Sequence, residues 1–181
     1  MASESGTGPN YSTNPDRRLF FAFWPDDALR AAVDAARNRV FPLAGRPVAA
    51  AGFHVTAAFL GRVAESRLPA LLALAGPVPA LTIRLDRLEH WPKPRVLVAA
   101  AGELRPDLRA VVDDLWRRLD RLGFTRDPRP YRPHVTLARD VRHLRPGVPW
   151  PALDWPVSRV ELVESVATET GTQYRPVAAG H

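Results

Sequence analysis

The feature that most constrains this chain is a pair of matching segments, His54-Val55-Thr56-Ala57 and His134-Val135-Thr136-Leu137. Each follows a loop and sits in apolar sequence. One His-x-Thr on an apolar strand is ordinary packing, but two at matching places imply a duplicated framework.

The rest of the sequence supplies that framework. In the first half, Arg18 to Phe23 (RLFFAF) has the aromatic density of a buried strand, and Pro25-Asp26-Asp27 opens a helix with Leu29, Val33, Ala36 and Val40 on one face. A loop from Gly45 to Gly52 leads to a strand over Phe53 to Leu60, which Gly61 is expected to end. A short helix within Ser66 to Ala75, limited by Pro69, precedes a strand near Leu81 to Leu88. The order then recurs. Arg95 to Ala101 is a strand, and Pro106-Asp107 opens a helix whose stripe is Leu108, Val111, Val112, Leu115, Leu119 and Leu122, stopped by Gly123. A Pro-rich loop (Asp127 to Pro133) leads to the strand that begins at His134. A further Pro-rich stretch (Pro146 to Pro156) precedes a long strand over Val157 to Ala167. The halves span about 17–90 and 95–177 of one domain covering 17–181, with 1–16 a loose polar tail.

A chain of 181 residues, 46% hydrophobic, can bury a real core. It holds no apolar run of the roughly 18–20 residues a bilayer span needs, and the N-terminal stretch lacks the apolar centre of a signal peptide. The expected setting is the cytoplasm, and with no stripe for self-association the expected state is a monomer. Cysteine is absent, which removes disulfides and thiolate chemistry. The net charge of +6 suits an anionic partner such as RNA or a nucleotide. Lys93 is the only lysine, so a compositional bias toward arginine explains part of that charge.

Residues i and i+2 of a strand share a face, so His54 projects with Thr56 and His134 with Thr136. If the halves pack about a pseudo-two-fold axis, two imidazoles and two hydroxyls converge on one cleft. Such a cleft suits a five-membered cyclic phosphate: water must lose a proton on one side of phosphorus while the leaving ribose oxygen gains one on the other. Histidine does either task near neutral pH, and threonine hydroxyls can donate to the non-bridging oxygens. A metal site is disfavoured, because zinc usually takes three or four protein ligands and neither motif has an acidic residue or third histidine at ligand spacing. His90, His143 and His181 are expected on the surface or in loops. Arg139 ends the second motif strand and is a candidate phosphate clamp, but strict alternation turns it away from His134, so it needs a bulge. Asp140 offers it an ion pair instead. Arg132 is a second candidate. Phe20, Phe21 and Phe23 divide between core packing and a base-stacking shelf, with core the expectation for most, and Tyr174 lies on an expected last strand near the cleft.

With both motifs in view the chain resembles the 2H phosphoesterase superfamily, and within it the bacterial RNA 2′,3′-cyclic phosphodiesterases, also called LigT or 2′-5′ RNA ligases. The resemblance runs from Arg18 to about Val177, through RLFFAF, GRPVAA, FHVTAAFLG, WPKPRVLVAA, YRPHVTLAR and VSRVELVESVATETGTQY. It implies a bilobal α+β duplication with two antiparallel or mixed sheets around a central cleft and helices outside. It implies metal-independent hydrolysis of RNA 2′,3′-cyclic phosphate ends to 2′-phosphate, reversible 2′-5′ joining and no cofactor. It also implies His54 as proton donor and His134 as proton acceptor, roles that the near-symmetric motifs leave open. Ala51-Gly52-Phe53 stands where many relatives have a polar turn with Asn. A small cyclic nucleotide or ADP-ribose cyclic phosphate is the alternative substrate, and a non-enzymatic RNA-end-binding module is the alternative of another class.

Overall fold

A computed structural model describes residues 16–40, 45–144, 147–169 and 171–177. The expected tail lies outside these residues except Asp16, which opens the first strand, and so does His181. The strands are β1 (Asp16–Phe23), β2 (Arg46–Pro47), β3 (Val55–Ala64), β4 (Gly76–Trp91), β5 (Val96–Ala101), β6 (His134–Arg139), β7 (Leu153–Thr168) and β8 (Gly171–Pro176). The helices are α1 (Asp27–Val40), the short α2 (Leu68–Leu72) and α3 (Pro106–Arg121). Asp26 caps α1 by accepting from Leu29 N at 2.7 Å, and Pro106 starts α3, where its missing N–H costs nothing. Gly123, at φ 79°, turns the chain out of α3.

All strand pairings are antiparallel, in the order β2-β6-β5-β4-β7-β1-β3, with β8 also on β7. Setting aside β2 and β8, the order reads the same from both ends when β1, β3 and β4 are exchanged for β5, β6 and β7. The third strand of each half pairs with the first strand of the other. This is the layout a duplicated strand-helix-strand-strand unit produces, and it ties the two sheets into one path. The sixteen residues of β7 make the join: Leu153–Val160 run beside β4, and the later residues run beside β1 and β8.

Both faces of the central strands are covered, which explains the unbroken apolar runs. Leu19, Phe21 and Phe23 enter the main core with Val33 of α1, whereas Phe20 and Ala22 join a small cluster with Val163, Trp24 and Tyr174 on the other face. In β5, Leu97 and Ala99 enter the main core with α3 residues Leu108, Val112 and Leu119, and Val96, Val98 and Ala100 form the matching cluster with Trp91. Phe21 is therefore core and Phe20 faces the other way. Gly61 does not end β3. It takes φ 76° inside a bulge that leaves Leu60 unpaired, and the strand continues to Ala64. Among the described residues no helix is long and apolar enough to cross a membrane.

Candidate active site

The two motif strands repeat one local pattern. Val55, Ala57 and Ala58 lie in the main core, as do Val135, Leu137 and Ala138. Alternation alone would give i+1 and i+3; adding i+4 requires a bulge, and both ladders shift register there. Phe21 pairs Ala58 while Ala22 pairs Thr56, and Leu97 pairs Ala138 while Val98 pairs Thr136. The bulge returns the sixth residue of each motif to the face of its histidine. His54, Thr56 and Phe59 therefore share one side with His134, Thr136 and Arg139, and all six line a single cleft of about 860 Å³. The bulge that Arg139 needs is present.

Each imidazole is held the same way. His54 Nδ1 donates to Gly52 O at 2.7 Å, and His134 Nδ1 donates to Arg132 O at 2.7 Å. A carbonyl only accepts, so both Nδ1 atoms carry hydrogen and Nε2 is the atom left to exchange a proton. The contact also explains a glycine: a Cβ on Gly52 would come within 3.3 Å of the Tyr174 ring, which packs edge-on against His54 at 4.7 Å between centroids.

The surroundings differ. His54 is ringed by Phe20 at 4.9 Å, Trp24 stacked at 5.6 Å and Tyr174. That burial pushes its pKa down to about 4, against the upward pull of the Gly52 carbonyl, and positive charge on His134 and Arg139 lowers it further. His134 meets Trp91 at 4.5 Å. Burial lowers its pKa too, the Arg132 carbonyl raises it, the Arg132 guanidinium lowers it and Glu89 raises it. Both shifts favour the neutral imidazole at pH 7.

Arg139 Nη2 donates to Tyr174 Oη at 3.3 Å, and among the described residues it has no ion pair, because Asp140 pairs instead with Arg46 at 3.2 Å. Arg132 is engaged elsewhere, bonded to Glu89 at 2.6 Å and lying over the Trp91 ring at 4.9 Å. Glu89 also accepts from Trp91 Nε1 at 2.7 Å. Tyr131 Oη donates to Thr56 O at 3.0 Å and so pins the second-motif loop to the first-motif strand. His143 is exposed, while His90 sits half-buried on β4, not in a loop, and donates through Nε2 to Val141 O at 2.9 Å. Among the described residues no three His, Asp or Glu side chains are grouped to hold a metal. The sequence reading passed over Trp24, Trp91, Glu89, Tyr131, Phe59 and Arg18 as site residues. Phe59 had a usable signal, since it occupies the first-motif position that Arg139 fills in the second.

Sheet order, duplicated motif strands and a cleft between two fixed imidazoles define the two-histidine phosphoesterase class. Residues 25–169 match the family model described as 2'-5' RNA ligase superfamily, and the chain belongs to that family. It is 34% identical over 166 residues to the RNA 2′,3′-cyclic phosphodiesterase of Escherichia coli, covering 89% of this chain and 94% of that protein. It is 35% identical over 173 residues to the RNA 2′,3′-cyclic phosphodiesterase of Thermus thermophilus, covering 87% and 86%. The crystal structure of E. coli LigT complexed with 3′-AMP matches with a TM-score of 0.78 at 33% identity, covering 90% of this chain and 96% of that one.

Proposed function

We propose that the protein opens 2′,3′-cyclic phosphate ends of RNA to 2′-phosphate ends, with His54 as proton donor and His134 as proton acceptor. The observation that carries this reading is the matched fixing of both imidazoles through Nδ1, which leaves two Nε2 atoms for the cleft both rings line. Nε2 of His134 takes a proton from water as its oxygen bonds to phosphorus. The bond from phosphorus to the ribose 3′-oxygen breaks, and Nε2–H of His54 protonates that oxygen. The hydroxyls of Thr56 and Thr136 and the guanidinium of Arg139 hold the non-bridging oxygens, where negative charge collects. A 5′-hydroxyl entering in place of water gives a 2′-5′ linkage by the same proton transfers, so hydrolysis and joining share the machinery. A phosphate anion beside His54 favours its imidazolium form, which supplies the proton that this buried imidazole otherwise lacks near neutral pH. Arg132 belongs to the cleft wall in this scheme, since Glu89 already neutralises it. The protein acts as a monomer in the cytoplasm, and residues 17–181 act together as one bilobal unit.

The test is an RNA oligonucleotide ending in a 2′,3′-cyclic phosphate, with the product identified by mass and by regiochemistry. A 2′-phosphate end is expected. A 3′-phosphate end would contradict the placement of the leaving oxygen beside His54, and binding without turnover would favour an RNA-end-binding module.

A further inference from the structure

We propose that Phe59, with Arg18 and Arg62 beside it, docks the nucleotide 5′ to the reacting terminal one, so that the cleft selects an RNA chain over a cyclic mononucleotide. This rests on the cyclic-phosphate reading above.

Three observations converge on that spot. Phe59 is 51% exposed, the only large hydrophobic side chain left exposed among the described residues, and the β3 bulge aims it along the cleft face. Arg18 lines the same cleft and places its guanidinium 5.2 Å from the Phe59 ring centre. Arg62 stands directly opposite Arg18 across the β1–β3 ladder, and among the described residues neither has a carboxylate partner. Like charges facing across a sheet destabilise it, and an anion between them removes the penalty. On the far wall Arg132 is paired to Glu89, Arg129 to Asp127 and Arg126 to Asp113. Lys93 and Arg139 line that wall without an ion pair among the described residues, and Arg139 serves the reacting phosphate, whereas Arg18 lies beside the exposed ring with Arg62 across the ladder.

Position then selects the ligand. Phe20 touches His54 at 4.9 Å and is the cross-strand partner of Phe59, which puts Phe59 one ring farther from the reacting phosphate. A 2′,3′-cyclic phosphate occupies the 3′ end, so whatever extends beyond the terminal nucleoside runs 5′. A base stacked on Phe59 with its phosphate between two guanidiniums uses the π face, the charge and the direction together.

The experiment compares kcat/KM on a dinucleotide ending in a 2′,3′-cyclic phosphate with kcat/KM on the cyclic mononucleotide. For the wild type the ratio favours the dinucleotide. Phe59→Ala is expected to cut that ratio roughly tenfold, and Phe59→Leu, which keeps apolar bulk without a π face, to cut it nearly as much. Arg18→Gln and Arg62→Gln each lower the slope of log affinity against log salt by about 0.7. An unchanged ratio, or an equal loss on both substrates, would overturn the proposal. If the wild type turns over neither substrate, the cyclic-phosphate reading fails by itself. Titrating wild type and Phe59→Ala with a dinucleotide and a mononucleotide that end in 2′-phosphate then reads the subsite directly, and equal wild-type affinity for the two would exclude it.

Discussion

The two walls of the cleft share a backbone plan and differ in what surrounds it. On both, the histidine is fixed by the carbonyl two residues earlier, the threonine follows at i+2, and a bulge brings the sixth motif residue back to the cleft. On the first wall three aromatic rings enclose His54 and the sixth residue is Phe59; on the second, Trp91 and the Glu89–Arg132 pair border His134 and the sixth residue is Arg139. Duplication supplies two acid–base groups in opposed positions. Divergence of their neighbours then gives one wall affinity for an apolar ring and the other affinity for a phosphate, and it gives the imidazoles different proton affinities. Burial lowers the pKa of both; His54 faces the positive charge of Arg139, whereas His134 faces both the Arg132 guanidinium and the Glu89 carboxylate.

The comparison breaks most sharply at the histidines. His54→Ala and His134→Ala are each expected to lower kcat roughly 10²–10⁴-fold in folded protein, and the double variant to lose little more than the worse single one, as steady-state kinetics would read. The donor and acceptor roles separate on a phosphodiester whose leaving group is p-nitrophenolate. A leaving group that needs no proton should restore most of the rate to His54→Ala and none to His134→Ala, and the reverse pattern would exchange the roles.

The sixth residues come next. Arg139→Ala should cost roughly tenfold to a hundredfold in kcat, as expected for a hydrogen bond to a charged group, with Thr56→Ala and Thr136→Ala at the lower end of that range. Arg139→Lys should recover only part, because an ammonium cannot hold two oxygens in one plane.

Titration sharpens the difference in surroundings. The pH profile of kcat/KM should be a bell whose limbs both fall below 6.5, since burial lowers both imidazoles and these limbs report the free enzyme; the apparent values belong to the pair. The kcat profile should lie at higher pH, because bound phosphate favours imidazolium. Glu89→Gln removes the charge that raises His134 and should move one limb, not both, to lower pH. The lowered His54 pKa also makes the unfolded chain bind more protons, so stability is retained above about 6.5 and lost as pH falls toward 4. A shift of that size is worth roughly 3 kcal/mol, and urea unfolding of His54→Gln should show a shallower acid decline. The smallest effect is that of Tyr131→Phe, which removes one bond to Thr56 O and should cost about 1 kcal/mol of stability.

Much of this arrangement is legible in the sequence because strand alternation and helix periodicity are local. The paired motifs, the apolar stripe of α3 and the dense RLFFAF strand all state their faces in the order of their residues. Bulges do not. Gly61 reads as a stop, yet its freedom at positive φ lets β3 turn past an extra residue and continue. Arg139 reads as facing away until the register shift at Leu137 is known. Trp91 and Glu89 reach His134 only because the third strand of the first half pairs with the first strand of the second, an exchange that depends on partners distant in sequence. The same holds for Tyr174, brought to His54 by the pairing of β8 with β7.

The most direct measurement incubates purified protein, in the presence of a chelator, with a short RNA bearing a 2′,3′-cyclic phosphate, beside folded His54→Ala and His134→Ala. The account predicts full conversion to a 2′-phosphate end by the wild type and almost none by either variant. Strict dependence on added metal, or a variant that retains the wild-type rate, would contradict it.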